Sequence, residues 1–236
     1  MIYTLSNIEQ TRLQEAIESA LRVPFIVGVE GYVFESIFHY IKDLPLSNPH
    51  SEKRSKLLFD CVDSQRKIGW SLKAVQKSPE TNSFELVIQR ADIFKKKLEL
   101  GFSTLTLDSP IDELGDAILR HWNQKIEADM ISQIVESPRI AVLIKSNNHK
   151  RYAFLEQDLH IFSPDKLYWK WTDELKTGLQ ARRKSNNSVA LRWYPNQKQL
   201  FESFQLPQNS FRFEIEPTAM SANDFIKTIL RPPTIL

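Results

Sequence analysis

Beyond residue 137 the hydrophobic period of this chain changes, and that change limits the folds open to it. Before it, apolar side chains return at helical steps. Leu114, Ala117, Ile118, Trp122, Ile126, Met130 and Ile134 mark one helix over residues 112–137, ending just before Pro138. Ile8, Leu13, Ala16, Ile17, Ala20 and Leu21 mark another over 6–22, with Ser6 and Glu9 at capping-box spacing. Tyr32, Val33, Ile37, Phe38 and Ile41 mark a third over 30–42. After Pro138 the pattern alternates instead. IAVLIK and YAFLEQDLHIF read as a hairpin over 139–162, and LYWKWTDEL, GLQARRK and SVALRWY read as further strands with a turn at Ser185, Asn186 and Asn187. Helices beside strands, at a length of 236 residues, imply one α/β domain spanning 1–236, with a core over about 23–137 and a β-rich half over about 138–236.

The remaining segments carry weaker signals. Residues 23–29 read as a strand or extended entry, 43–56 and 77–83 as polar loops, and 84–100 as a strand running into a helix. A short helix is expected over 195–204, a strand over 210–216, and a closing helix over 223–230 capped from Ser221 or Asn223.

Composition excludes several classes of function. A net charge of +2 gives no global attraction to polyanions, so any nucleic-acid surface must be a local patch. Cys61 is the single cysteine, which rules out an internal disulfide framework and a cysteine-based zinc site. Six glycines, with neither GxxxxGK[ST] nor GxGxxG among them, argue against a bound nucleotide cofactor. No apolar run approaches the roughly 18 residues of a membrane span, and the N-terminus lacks a secretory apolar segment, so a cytoplasmic protein is expected. His39, His50, His121, His149 and His160 lie far apart, without the spacing of a metal motif.

Residues 57–76, LLFDCVDSQRKIGWSLKAVQ, carry the chemistry. A turn centred on Arg66 and Lys67 sets Asp60 opposite Lys73 and Asp63 opposite Trp70, and a register longer by one residue sets Asp63 opposite Ser71. Alternation then places Asp60, Val62, Ser71 and Lys73 on one face, with Asp63 on the other. Lys73 stands between Leu72 and Ala74 on an apolar strand, where a cation needs a partner or a purpose. Hydrolysing a phosphodiester requires carboxylates that hold a divalent cation and a positive group beside the attacking water. Asp60 and Lys73 are residues of those kinds.

In this order of elements the chain resembles the PD-(D/E)xK nuclease superfamily, the fold of many type II restriction endonucleases. Asp60 matches the first acid, Ser71-Leu72-Lys73 the acid-x-Lys tripeptide, and Glu35 or Glu30 the glutamate of the preceding helix. Ser71 departs from the pattern, since it supplies no carboxylate, and Glu85 lies where a relocated acid could fall. The resemblance implies a restriction-endonuclease-like core with a central mixed sheet flanked by helices. It implies Mg²⁺ as cofactor, bound by Asp60 with Asp63 as second choice, and Lys73, Ser71, Glu35 and Glu85 as the remaining catalytic candidates. Double-stranded DNA is the expected substrate, and a palindromic target would require a two-fold homodimer.

The β-rich half supplies candidate DNA contacts. Lys170, Gln180, Arg182, Arg183, Lys184, Asn186 and Arg192 offer guanidinium, ammonium and amide groups suited to phosphates and base edges. Trp169, Trp171, Trp193 and Tyr194 are interleaved with them and are expected to form core. The competing reading is a nucleic-acid-binding protein without catalysis, in which the hairpin is scaffold.

Overall fold

The computed structural model describes residues 1–46 and 57–229, so the 47–56 part of the expected loop and Leu230 lie outside the described residues. The chain folds into two compact units: Met1–Thr81, Val135–Asp158 and the stretch from Gln208 form the first, and Asn82–Ile134 with Leu159–Pro207 form the second. They interleave along the chain, so neither corresponds to residues 23–137 or 138–236.

Elements are numbered in chain order. The first unit holds a mixed sheet in the order β1 (Ile2–Tyr3), β6 (Arg151–Asp158), β5 (Ser137–Lys145), β3 (Ile68–Gln76) and β2 (Cys61–Asp63), with β11 (Arg212–Glu214) also pairing with β6. β3 and β5 run parallel and every other pair is antiparallel. Helices α1 (Asn7–Arg22) and α2 (Gly31–Ile41) bury Leu13, Ile17, Phe34 and Phe38 against Trp70, Leu72, Ala141 and Leu143. The capping box is formed as expected: Ser6 Oγ accepts the Glu9 N–H at 3.3 Å, while Glu9 Oε2 accepts the Ser6 N–H at 2.7 Å. Helix α4 (Ala222–Ile229) is capped by Ser221, whose Oγ accepts the Asp224 N–H at 3.1 Å.

The second unit holds a five-stranded antiparallel sheet in the order β4 (Ser83–Arg90), β10 (Gln199–Gln205), β9 (Val189–Tyr194), β8 (Leu179–Arg183) and β7 (Leu167–Trp171). Its long helix is α3 (Ile111–Gln133), which ends where Ile134 takes a left-handed conformation at φ 56°. Trp193 is buried as expected and donates its indole N–H to the Ala91 carbonyl at 2.9 Å. Gly115 lets α3 approach Trp169, because a Cβ there would lie 2.1 Å from the indole nitrogen. Gly115→Ala is therefore expected to lower stability by about 1–3 kcal/mol, measured by urea denaturation, as an overpacked contact must be relieved by moving helix or ring. Among the described residues no helix is long and apolar enough to cross a membrane.

Three segments differ from expectation. Residues 23–29 form turns and coil, and the helix expected after the strand at 84–100 is a series of turns beyond Arg90. The helix expected over 195–204 is a tight turn followed by strand β10. In the last, pairing decides: β10 binds β4 on one side and β9 on the other, and two ladders of backbone hydrogen bonds outweigh a weak local preference.

Candidate active site and nucleic-acid interface

The hairpin of residues 57–76 forms, with a register two residues from the expected one. Cys61 faces Trp70, Val62 faces Gly69 and Asp63 faces Ile68. Asp63 is the cause. Its Oδ1 accepts the N–H groups of Gln65 and Arg66, both at 3.0 Å, which folds Ser64–Lys67 into a compact turn closed by Lys67 at φ 54°. The Asp63 carboxylate thus serves the turn, and it lies on the strand face opposite Asp60 and Val62. A shift of two residues preserves the alternation, so Asp60, Val62, Ser71 and Lys73 still share a side.

Asp60 immediately precedes β2. Its N–H donates to the Trp70 carbonyl at 2.9 Å, and its Oδ2 accepts the Leu72 N–H at 2.7 Å. The carboxylate therefore takes the place of a backbone acceptor at the edge of β3, beside Ser71 and one residue short of Lys73. Ser71 is buried, and Lys73 Nζ donates to Ser71 Oγ at 3.0 Å. Among the described residues Lys73 forms no ion pair. The half-buried Lys73 side chain is thus held by a hydroxyl, where a carboxylate at position 71 would have formed an ion pair with it.

Helix α2 meets the same strand end through His39. The His39 ring lies with Nδ1 2.6 Å from the Pro45 carbonyl and Nε2 3.4 Å from the Asp60 carbonyl. Glu35 sits one turn earlier on the face that carries His39. Glu30 is engaged elsewhere: it is the residue before α2, and its Oε1 accepts from Lys145 Nζ at 2.8 Å. That hydrogen bond holds the Glu30 carboxyl below its ordinary range. Of the two glutamates, Glu35 is the one on the helix face whose His39 contacts the Asp60 carbonyl.

Glu85 lies in the second unit, on β4, where Arg192 donates to its Oε2 at 2.8 Å and Ser203 Oγ stands 3.4 Å from its Oε1. It is a cross-strand ion-pair partner in the five-stranded sheet. Among the described residues no three His, Cys, Asp or Glu side chains gather as a metal-ligand set.

Four of the expected DNA contacts converge on one face of the five-stranded sheet. Lys170 pairs with Gln180, Gln180 with Arg192 and Arg192 with Phe201, forming a row across β7, β8, β9 and β10. Arg182 stands opposite Tyr168 on the same face, and Tyr194 adds a ring packed edge-on to Phe201 at 5.2 Å. Arg183 points the other way. It pairs with buried Leu167, and its guanidinium donates to Ser188 Oγ and the Val189 carbonyl. Asn186 closes the β8–β9 turn by accepting from Ser188, and Lys184 is exposed beside it.

Sequence reasoning missed a buried, fully engaged charged group in the first unit. Glu156, 1% exposed, accepts from the Trp70 indole at 2.8 Å, Arg139 at 2.9 Å and Lys42 at 3.2 Å. The signal was available: Tyr152, Phe154 and Glu156 alternate on one strand, so the glutamate shares the inward face. Lys42 and Arg139 line a polar pocket of about 800 Å³ together with Arg12, Asp43, Asp63 and Arg66. Those charges are paired within the pocket wall, Arg12 with Asp43 at 2.7 Å and Lys42 with Glu9 at 2.9 Å, which marks it as a structural network.

Comparison of the chain with protein-family models, curated proteins and solved structures gives no match.

Proposed function

We propose that the protein is a Mg²⁺-dependent endonuclease acting on double-stranded DNA, of the type II restriction kind. The observation that carries the reading is the arrangement at the edge of β3: Asp60 fixed by the Leu72 N–H, and Lys73 held by Ser71 without an ion pair among the described residues. The donor set fits the metal, because Mg²⁺ takes one or two protein carboxylates and completes its shell with water and phosphate oxygens. Asp60 is the first ligand, and Glu35, on the α2 face that reaches Asp60, is the second. Bound Mg²⁺ would lower the pKa of the attacking water and offset the charge of the phosphorane-like transition state. Lys73 orients that water and stabilises the developing negative charge, while Ser71 positions Lys73. Asp63, committed to the turn, is no longer assigned to the metal, and Glu85, paired with Arg192, is no longer assigned to catalysis.

The five-stranded sheet supports DNA as the substrate. Lys170, Gln180, Arg182 and Arg192 present donors on one half-exposed face, and Arg192 also bonds Glu85 across the sheet. Lys170→Ala combined with Arg182→Ala is expected to weaken DNA binding and to reduce the slope of log K against log salt by about one for each phosphate no longer neutralised. Electrophoretic mobility shifts at graded salt measure it.

Digestion of a sequenced plasmid with Mg²⁺ and with EDTA tests the central reading. Discrete fragments with Mg²⁺ alone are expected, and sedimentation of the DNA complex should show two protein copies on each site if the target is palindromic. Plasmid that stays intact under every condition while the protein still binds DNA would favour the non-catalytic alternative.

A further inference from the structure

A pocket of about 550 Å³ lies within the second unit, away from the sheet face described above. Its apolar wall is formed by Phe162 and Leu167, and its rim by Lys166, Arg183 and Lys184, with Asp165 the one acid. The rim is a built feature. Lys184 donates its N–H to the Lys166 carbonyl at 3.0 Å, which sets those two lysines side by side, while Arg183, opposite Leu167, lines the pocket from the next position of the strand. Among the described residues none of the three forms an ion pair. Like charges opposite one another are unfavourable, and the Lys166–Lys184 pair is an arrangement an anion would relieve.

His160 stands at the same pocket with an unusual support. Its Nδ1 contacts Glu202 Oε1, and Glu202 is 1% exposed in the middle of β10, with Oε2 buried and unpartnered. Burial raises the Glu202 carboxyl above its ordinary range, against the opposing pull of His160 and Arg183. A buried carboxyl on an apolar strand face is costly. What it does here is fix the orientation of the imidazole, leaving Nε2 as the nitrogen available to a ligand. The wall is equally fixed: the Trp122 indole donates to the His160 carbonyl at 2.9 Å, and the Asn123 side chain bonds both the carbonyl and the N–H of Phe162, at 2.8 and 3.2 Å.

We infer that this pocket binds a mononucleotide unit, its base against Phe162 and Leu167, its phosphate among Lys166, Arg183 and Lys184, and a polar edge hydrogen-bonded to His160. The volume falls within the range of small-ligand pockets, and an apolar wall beneath a cationic rim matches a flat base joined to a dianion. The identity of the occupant rests on the nucleic-acid reading, whereas the pocket is complete within its own unit.

Calorimetric titration of the full chain in EDTA tests the inference, using deoxyadenosine 5′-monophosphate, deoxyadenosine, inorganic phosphate, decanoate and a 5′-phosphorylated tetranucleotide. The monophosphate is expected to bind at least about tenfold more tightly than nucleoside or phosphate alone. Lys166→Ala with Lys184→Ala should remove about that factor, and His160→Gln should weaken binding in a chain whose circular dichroism is unchanged. Competition by the tetranucleotide would place the unit at a strand end, and competition by free nucleotide alone would place it in the soluble pool; either supports the inference. Equal affinity for nucleoside and nucleotide, a preference for decanoate, or no nucleotide binding at about 10 mM would overturn it. Because the titration contains no divalent metal, it is independent of cleavage: Lys73→Ala should bind the nucleotide normally, so failure of the nuclease reading and failure of this one are separable.

Discussion

Lys73→Ala is expected to slow Mg²⁺-dependent cleavage of double-stranded DNA by about 10²–10³-fold while leaving DNA binding within a few fold of the parent. The magnitude follows from what the side chain offers. It is a half-buried ammonium whose hydrogen bond goes to a neutral hydroxyl, so its charge is available where negative charge develops on the phosphoryl group. Folding should tolerate the change. With no ion pair formed by Lys73 among the described residues, its removal orphans no carboxylate there, and the stability cost should stay within about 1 kcal/mol. Single-turnover digestion of a plasmid, run beside a mobility-shift assay, separates the two effects. Cleavage by the variant at the parental rate would remove Lys73 from the chemistry and with it the main support for a nuclease.

Glu156→Ala should be the most damaging single substitution in the first unit, with an expected loss of about 3–5 kcal/mol of stability. Glu156 is where the helical layer, β3 and β5 meet electrostatically. Lys42 follows α2, Trp70 belongs to β3, Arg139 belongs to β5, and all three donate to its two oxygens. Truncation leaves Arg139 and an indole N–H without this acceptor, while Lys42 keeps Glu9, and the residual charges then repel each other. Glu156→Gln keeps one acceptor oxygen and the volume while removing the charge, so a smaller loss, about 1–3 kcal/mol, is expected. Urea denaturation followed by circular dichroism measures both variants. An alanine variant as stable as the parent would mean that Lys42 and Arg139 find other partners, among which Glu9 is already bonded to Lys42 at 2.9 Å.

These two residues show where sequence reading succeeds and where it stops. Lys73 was legible because it interrupts an apolar strand beside a serine and because alternation fixes its side of the strand. Glu156 interrupts another apolar strand in the same manner, but its partners come from positions 42, 70 and 139, and no local pattern links them. The same holds for Glu202 on β10 and its contact with His160, 42 positions away. Arg183 illustrates the opposite error. Read with Arg182 and Lys184 as one basic cluster, it belongs by alternation to the buried face, and only the pairing with Leu167 makes that plain.

At the hairpin the division is equally clear. The sequence alone determined that residues 57–76 turn back on themselves, and that Asp60, Ser71 and Lys73 share a side while Asp63 does not, since a period of two survives any even shift of register. The register itself comes from a local turn that the alternation does not predict, in which the Asp63 carboxylate accepts the Gln65 and Arg66 N–H groups and sets Asp63 opposite Ile68. Tertiary structure decided what the candidate acids meet, since Glu85 is held by Arg192 in the five-stranded sheet and a carboxylate's neighbours are set by packing across the chain. Local periodicity fixes which way a side chain points, and only the folded chain fixes what it meets there.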